Sequence, residues 1–597
     1  MFQTFNVTAR PEQGPPRLAE LRAQMAAENL DGFLVPRADA HQGEYVPAHD
    51  ERLAWLTGFT GSAGFCAALA DKAGVFIDGR YRTQVKAQVE TAVFTPVPWP
   101  EISLASWLRE VLPEGGTVGY DAWLHTPSQI RDIETGLRGS GIRMVQSDNL
   151  VDRIWSDQPA PPMQPAKVHP LEFAGESHTD KITRLADDLK NAGDMAAIIN
   201  LSDSLCWLLN IRGSDVPRNP VVRGFAVLRS DATVDLFIAE EKIADLRDHF
   251  GDGVRVHAPD AFLTALDDLE GPVRYDPDTA PRAVADRLGE RGVEGPEPCL
   301  LPKACKNSAE IEGSAQAHLR DAAAMVELLS WLDAQDPGSL TETDVVTRLE
   351  ACRRMDNALQ DISFDTIAGT GPHGAIMHYR VTEETDSLLE NGHLLVLDSG
   401  GQYLDGTTDI TRTIPIGSVG DEEKRAFTRV LQGMIAVSRL RWPRGLSGRD
   451  LEAIGRAPLW MAGQDFDHGL GHGVGAYLNV HEGPQRLSRI NTVPFRPGMI
   501  LSNEPGYYRE GAFGIRIENL LVVEDAPDLP GGDNHRDMLR WRTLTFVPID
   551  RRLVVPALLS AGEREWLDTY HRQVLDLIGP RVGETAREWL AGACAPL

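Results

Sequence analysis

NGHLLVLDSGGQYLDGTTDITRTI, residues 391–414, decides how the chain is read. The apolar run at 394–397 predicts a buried strand that ends on Asp398. A polar, glycine-rich turn follows, and Asp405-Gly406 is a hairpin signal. The second strand, TTDITRTI, is β-branched and carries Asp409. Strands joined by a short turn lie side by side, so the two aspartates approach each other at the edge of a buried sheet. Two buried carboxylates repel, and both stay ionised when a cation sits between them. Standing alone, the segment is equally a hairpin with one turn aspartate and one solvated aspartate. Three downstream clusters bear on the choice.

The first is FDHGLGHGVGAYLNVHEGP at 466–484, with His468, His472 and His481 among glycines. So many glycines exclude a stable helix, so His468 and His472 are not a helical zinc pair. The second is MILSNEPGYY at 499–508, where Glu504 closes an apolar strand just before Pro505-Gly506. A carboxylate at the buried end of a strand needs a partner. The third is AFGIRIENLLVV at 512–523. Read as one strand, it puts Arg516 and Glu518 on one face and Ile515 and Ile517 on the other. Asp398, Asp409, His472, Glu504 and Glu518 are four carboxylates and one imidazole, with no thiolate. That hard, oxygen-rich set suits Mn²⁺ or Mg²⁺ better than structural zinc. It also exceeds what one ion needs, which points to two bridged ions and hydrolytic chemistry.

The rest of the chain frames this centre. At 597 residues with 42% hydrophobic residues, it is expected to form two to four domains with sizeable cores. A net charge of −28 argues against nucleic acid and anionic membrane as partners. The six cysteines form no CxxC pair, so a reducing compartment is expected. No signal-type apolar region or membrane-length run is present, and the cytoplasm is the expected location. Two α/β stretches echo each other: each has an apolar strand, a polar loop, then a Leu-x-Trp-Leu run ending in Gly-Ser, carrying Trp55 and Trp207. A Pro-rich stretch at 156–170 separates them. Asn307 with Glu310, and Ser560 with Glu563, predict capping boxes that open a long helix and a helical tail.

The order Asp398, Asp409, His472, Glu504, Glu518 resembles the pita-bread metallopeptidases, which include methionine aminopeptidase, prolidase and aminopeptidase P. LDSGGQYLDGTTDITRT, GLGHGVG, SNEPGYY and FGIRIEN are similar to the aminopeptidase P branch. WLLNIRGSDVPRNPV, GFTGSAG, FIDGRY and LTFVPID extend the resemblance to its long, three-domain cytosolic form. The resemblance implies an α/β and α+β multidomain chain. Creatinase-type domains at 1–157 and 158–306 would precede a pita-bread catalytic domain at 307–550 and a helical extension at 551–597. It implies two divalent ions, Mn²⁺ first, with Zn²⁺ or Co²⁺ as alternatives. Asp398 would chelate one ion, Asp409 and Glu518 would bridge both, and His472 and Glu504 would complete the second. Glu504 would also be the acid/base for a bridging hydroxide that attacks the scissile carbonyl. His378 and His481 would serve catalysis and bind substrate, together with His468 and Arg516. The implied activity is release of the N-terminal residue from peptides with proline in the second position, by a homodimer. Arg80, in FIDGRY, either faces the entrance to the site or is a structural arginine in a turn. The rivals are a prolidase, an inactive relative acting as a binding module, and a metal-free creatinase-like hydrolase. The last two would lack some of the five ligand residues.

Overall fold

The computed structural model describes residues 1–533 and 535–597. They divide into two compact units. One comprises Thr8–Leu171 and Glu176–Leu300. The other comprises Met1–Val7, Glu172–Gly175 and Leu301–Leu597, and it holds the candidate site.

The first unit contains the same sheet twice. Strands β1 (Gly32–Pro36), β2 (Phe65–Leu69), β3 (Ala73–Ile77), β4 (Thr95–Pro98), β5 (Gly116–Tyr120) and β6 (Ile142–Gln146) run in the order β4-β3-β2-β1-β5-β6. After β7 (Lys167–Val168), which pairs with β9 (Ile211–Arg212), come β8 (Ala196–Ile199), β10 (Phe225–Arg229), β11 (Val234–Phe237), β12 (Val254–His257), β13 (Val273–Tyr275) and β14 (Gly292–Glu294). Their order is β12-β11-β10-β8-β13-β14. The orientations match as well. In each sheet the first strand is antiparallel to the second and parallel to the fifth. In β1, Phe33 and Val35 join the core formed with Leu18, Leu21 and Met25, while Leu34 joins the core on the opposite face, with Trp107 and Leu108. The period of two thus supplies a core to each side of the sheet.

The two tryptophans mark the repeat. Trp55 and Trp207 lie on the short helices Arg52–Thr57 and Ser202–Leu208. Arg17, fourth in the helix Gly14–Ala27, donates to the Trp55 carbonyl at 2.6 Å and lies 4.4 Å from its ring centroid. Lys181, fourth in the helix His178–Ala192, does the same at Trp207, at 2.9 Å and 4.2 Å. One cation satisfies a helix-end carbonyl and covers an aromatic face in both copies.

In the second unit, β16 (Ile367–Thr370), β17 (Leu394–Ser399) and β20 (Ile410–Pro415) form a sheet in the order β16-β17-β20. Every residue of β17 and β20 is buried, so these strands are covered on both faces. Between them, β18 (Gly401–Tyr403) and β19 (Gly406–Thr407) close a tight hairpin, and β18 pairs on its other side with β15 (Leu359–Ile362). A six-stranded sheet has the order β21-β28-β27-β24-β22-β23. Its strands are β21 (Arg441–Pro443), β22 (Gly471–Gly473), β23 (Glu482–Leu487), β24 (Ile500–Asn503), β27 (Asn519–Asp525) and β28 (Met538–Thr543). Strands β25 (Gly506–Arg509) and β26 (Phe513–Arg516) make a separate ribbon. The stretch 512–523 is therefore two strands in different sheets, not the single strand its alternation predicts. The chain leaves the ribbon after Arg516 and enters the large sheet at Asn519, so Glu518 sits at the crossover.

Helix Ser308–Asp333 opens with the expected capping box on Asn307 and Glu310. The tail helix Ala561–Ile578 opens with the box on Ser560 and Glu563. Leu567, Tyr570, Val574 and Ile578 join the same core as β17 and β20, so the tail packs on this unit. The first residues of the chain are tied here too. Phe2 N donates to both Glu350 carboxylate oxygens at 2.8 Å, and Arg380 donates to the carbonyls of Thr4 and Asn6 at 2.6 and 3.0 Å.

Candidate metal centre

Pairing fixes where the aspartates meet. In β17 and β20, Asp398 faces Thr411 and Ser399 faces Ile410, so Asp398 and Asp409 come to the same end of the sheet. Glu518 docks beside them: its N–H donates to the Thr411 carbonyl at 3.1 Å, and Thr411 Oγ1 donates to Glu518 Oε2 at 2.8 Å. Glu504 follows β24, and its N–H donates to the Leu470 carbonyl at 2.9 Å. His472 lies on β22 with Nδ1 against its neighbour's carbonyl, Gly473 O, at 2.9 Å. That leaves Nε2 aimed inward, 3.5 Å from Asp409 Oδ2 and 3.3 Å from Glu504 Oε1.

Three groups result, each with its ligand atoms within 4.8 Å of one another: Asp398, Asp409 and Glu518; His472, Glu504 and Glu518; and Asp409, His472 and His481. Glu518 belongs to the first two and Asp409 to the first and third. Such sharing is what two neighbouring ions require. The oxygens themselves supply the test of fit. Asp398 Oδ1, Asp409 Oδ1 and Glu518 Oε1 are hidden from solvent and have no hydrogen-bond partner among the described residues. Three unpaired carboxylate oxygens in one buried place call for a cation. The donor set, oxygen-rich with one imidazole, fits a hard divalent ion.

The electrostatics agree. Burial, then the charges of Asp398 and Glu504, push Asp409 well above the usual carboxylate range. Burial, then Asp409 and Asp398, push Glu518 up in the same way. Burial and Glu518 raise Glu504 to about 7, against the opposing pull of His472 and Arg516. Arg516 meets part of the excess charge. It donates to Asp398 Oδ2 at 2.6 Å, to the Met377 carbonyl at 3.3 Å and to Tyr508 OH at 2.7 Å.

Of the remaining predicted residues, His481, His468 and His378 belong to the unit that holds this group, and Arg80 belongs to the other. The ring centroids of His481 and His472 are 4.3 Å apart at 82°, and His481 shares a ligating group with Asp409. His468 lies one contact further out, with Nε2 2.9 Å from Tyr508 OH. His378 is half-buried and follows Met377, whose carbonyl Arg516 holds. Arg80 sits in the turn Gly79–Tyr81 with its guanidinium on Asp78, at 2.7 Å for the shortest contact. Residues at the site that escaped sequence reasoning include Tyr508, Thr411 and Ser502, which donates to Glu504 Oε1 at 3.0 Å. Tyr508 joins His468 to Arg516, and Thr411 holds Glu518. SNEPGYY contains the tyrosine, but no local pattern distinguishes it from its neighbour Tyr507.

Comparison with known proteins gives this geometry a family. A match described as "Metallopeptidase family M24" spans residues 312–525, and one described as the C-terminal region of that peptidase spans 537–597. Two matches described as "Creatinase/Prolidase N-terminal domain" span 17–154 and 157–310. The fold is thus two creatinase-type α/β domains followed by a pita-bread catalytic domain. Aminopeptidase P2 of Arabidopsis thaliana is 38% identical, covering 95% of this chain and 86% of its own length. A probable Xaa-Pro aminopeptidase P of Laccaria bicolor is 38% identical, covering 97% and 93%. The solved X-prolyl aminopeptidase of Caenorhabditis elegans, described as a cytosolic enzyme with a di-nuclear active site, is 32% identical. It superposes with a TM-score of 0.94, covering 98% of this chain and 100% of that one. The chain belongs to the Xaa-Pro aminopeptidase P family of M24 metallopeptidases.

Proposed function

We propose that the protein is a dinuclear-metal aminopeptidase that hydrolyses the Xaa-Pro bond of peptides with proline in the second position. The observation that carries this is the sharing of Asp409 and Glu518 between groups of ligand atoms, with three buried carboxylate oxygens that have no hydrogen-bond partner among the described residues. Asp398, Asp409, His472, Glu504 and Glu518 would hold the two ions, with Mn²⁺ the first candidate. Bound there, they supply Lewis acidity for the scissile carbonyl and lower the pKa of a water.

The chain's own residues do the rest. An Xaa-Pro bond has no N–H, so its carbonyl and the free α-amine are the handles for recognition. His378 and His481 are the candidate donors to the carbonyl oxygen as charge develops on it. Glu504 is the candidate for the proton transfer: water adds to the carbonyl carbon, the C–N bond breaks, and the proton taken from water passes to the prolyl nitrogen. Arg516 keeps Asp398 oriented, and Tyr508 links Arg516 to His468. The same proposal takes the protein to be a cytoplasmic homodimer. A monomer mass in sedimentation equilibrium, or fractionation away from the cytoplasm, would contradict that part.

The test uses chelator-stripped protein with Mn²⁺, Zn²⁺ or Co²⁺ restored, and compares an Arg-Pro-Pro peptide with the Arg-Pro dipeptide. Restored cleavage of the longer peptide, well above the dipeptide, is expected. Preference for the dipeptide would make the protein a prolidase. No cleavage with any ion would return it to a binding role.

A further inference from the structure

Asp398 and Asp409 share a feature that is absent from their own side chains. Each stands next to a residue held by a single buried ion pair. Asp321, on helix Ser308–Asp333, and Arg353, the last residue of helix Glu342–Arg353, have fully buried side chains. Arg353 Nε donates to Asp321 Oδ1 at 2.6 Å and Nη2 to Oδ2 at 3.1 Å. The guanidinium does not stop there. Nη2 also donates to Ser399 Oγ at 3.0 Å, and Nη1 to the Gly400 carbonyl at 3.2 Å. On the other side, Thr408 Oγ1 donates to Asp321 Oδ2 and accepts from Gly401 N at 2.8 Å. Ser399 follows Asp398, and Thr408 precedes Asp409.

We propose that Asp321 and Arg353 form a positioning clamp that sets the separation of the Asp398 and Asp409 carboxylates, and with it the affinity of the centre for a pair of divalent ions. A buried ion pair contributes little to stability compared with apolar residues of the same volume. Its presence here therefore points to what its hydrogen bonds reach. Here one pair reaches both chain segments at once, from two long helices rather than from loops, and an apolar pair of equal size could not. Ligand groups hold a metal when partners beyond them fix their geometry. The inference rests on the dinuclear reading above, and its test keeps the two apart.

The experiment titrates Mn²⁺ into the metal-stripped full-length chain by calorimetry, beside thermal unfolding of each apo-protein. The variants are Thr408→Val, Thr408→Ser, Ser399→Ala and the double variant Asp321→Leu/Arg353→Met. Wild type is expected to bind two ions. Thr408→Val and the double variant are expected to lose about tenfold or more in affinity for at least one ion. Thr408→Ser, which keeps the hydroxyl, should stay near wild type. Ser399→Ala should lose less than Thr408→Val, because Arg353 keeps the Gly400 carbonyl. If the double variant fails to fold, the two Thr408 variants carry the test. Wild-type affinity for both ions in folded Thr408→Val would overturn the clamp and leave the dinuclear reading standing. Fewer than two ions in wild type would overturn the dinuclear reading itself.

Discussion

Glu482 and the Asp398–Asp409–Glu518 group are buried acids in the same unit, and the chain neutralises them in different ways. Glu482 has no exposed side-chain surface. Lys303 Nζ lies 3.1 Å from one of its oxygens and Lys306 Nζ contacts the other, both lysines being buried as well. The acid is closed from within. Among the described residues, the ligand group receives one guanidinium, Arg516, on Asp398, and three of its carboxylate oxygens have no hydrogen-bond partner. Burial alone does not mark a functional acid. A buried acid left without enough neutralising charge among the described residues does.

That contrast can be broken by substitution. The largest effect is expected from Asp409→Asn or Glu518→Gln, each removing a shared ligand. We expect kcat/KM on an Xaa-Pro tripeptide to fall by at least about a thousandfold, since several kcal/mol of transition-state stabilisation are lost. The same substitutions should leave the metal-stripped protein as stable as wild type or more so, because they remove repulsion between buried acids. Glu482→Gln should behave in the opposite way. Leaving two lysines buried without their acid should cost about 3–5 kcal/mol in urea unfolding, with two ions still bound. Equal stability of metal-stripped Glu482→Gln and Glu518→Gln would erase the distinction. A smaller effect sharpens it: Mn²⁺ at a hundred times its dissociation constant should stabilise wild type by about 2.7 kcal/mol per site, and Glu518→Gln by much less. Least of all, Tyr508→Phe removes the link between His468 and Arg516. It should cost about 1 kcal/mol, read as a few-fold change in kcat/KM with metal content unchanged.

Much of this was legible because the informative residues interrupt strong local patterns. Asp398 ends an apolar strand, Glu504 follows one, and His472 lies among glycines, so each stands out against its surroundings. The duplicated sheet was legible through Trp55 and Trp207, although the matching cations Arg17 and Lys181 were not. Other features depend on partners distant in sequence. Lys303 and Lys306 stand just before the Asn307 cap, where nothing in the local sequence marks a lysine as buried. Asp321 and Arg353 sit in helices where a charge ordinarily marks the exposed face. The change of sheet between Arg516 and Asn519 left no trace either, since Ile515 and Ile517 are both fully buried and alternation carries through the break. The first residues carry no periodic signal, and their place beside Glu350 and Arg380 follows from hydrogen bonds across more than 340 positions.

The most direct test counts ions. Metal-stripped wild type and Glu518→Gln are each dialysed to equilibrium against Mn²⁺, and the bound metal per chain is measured. Two ions in wild type and one or none in Glu518→Gln is the predicted result. One ion or none in wild type, or two retained in Glu518→Gln, would contradict a centre built on shared, otherwise unpaired carboxylates.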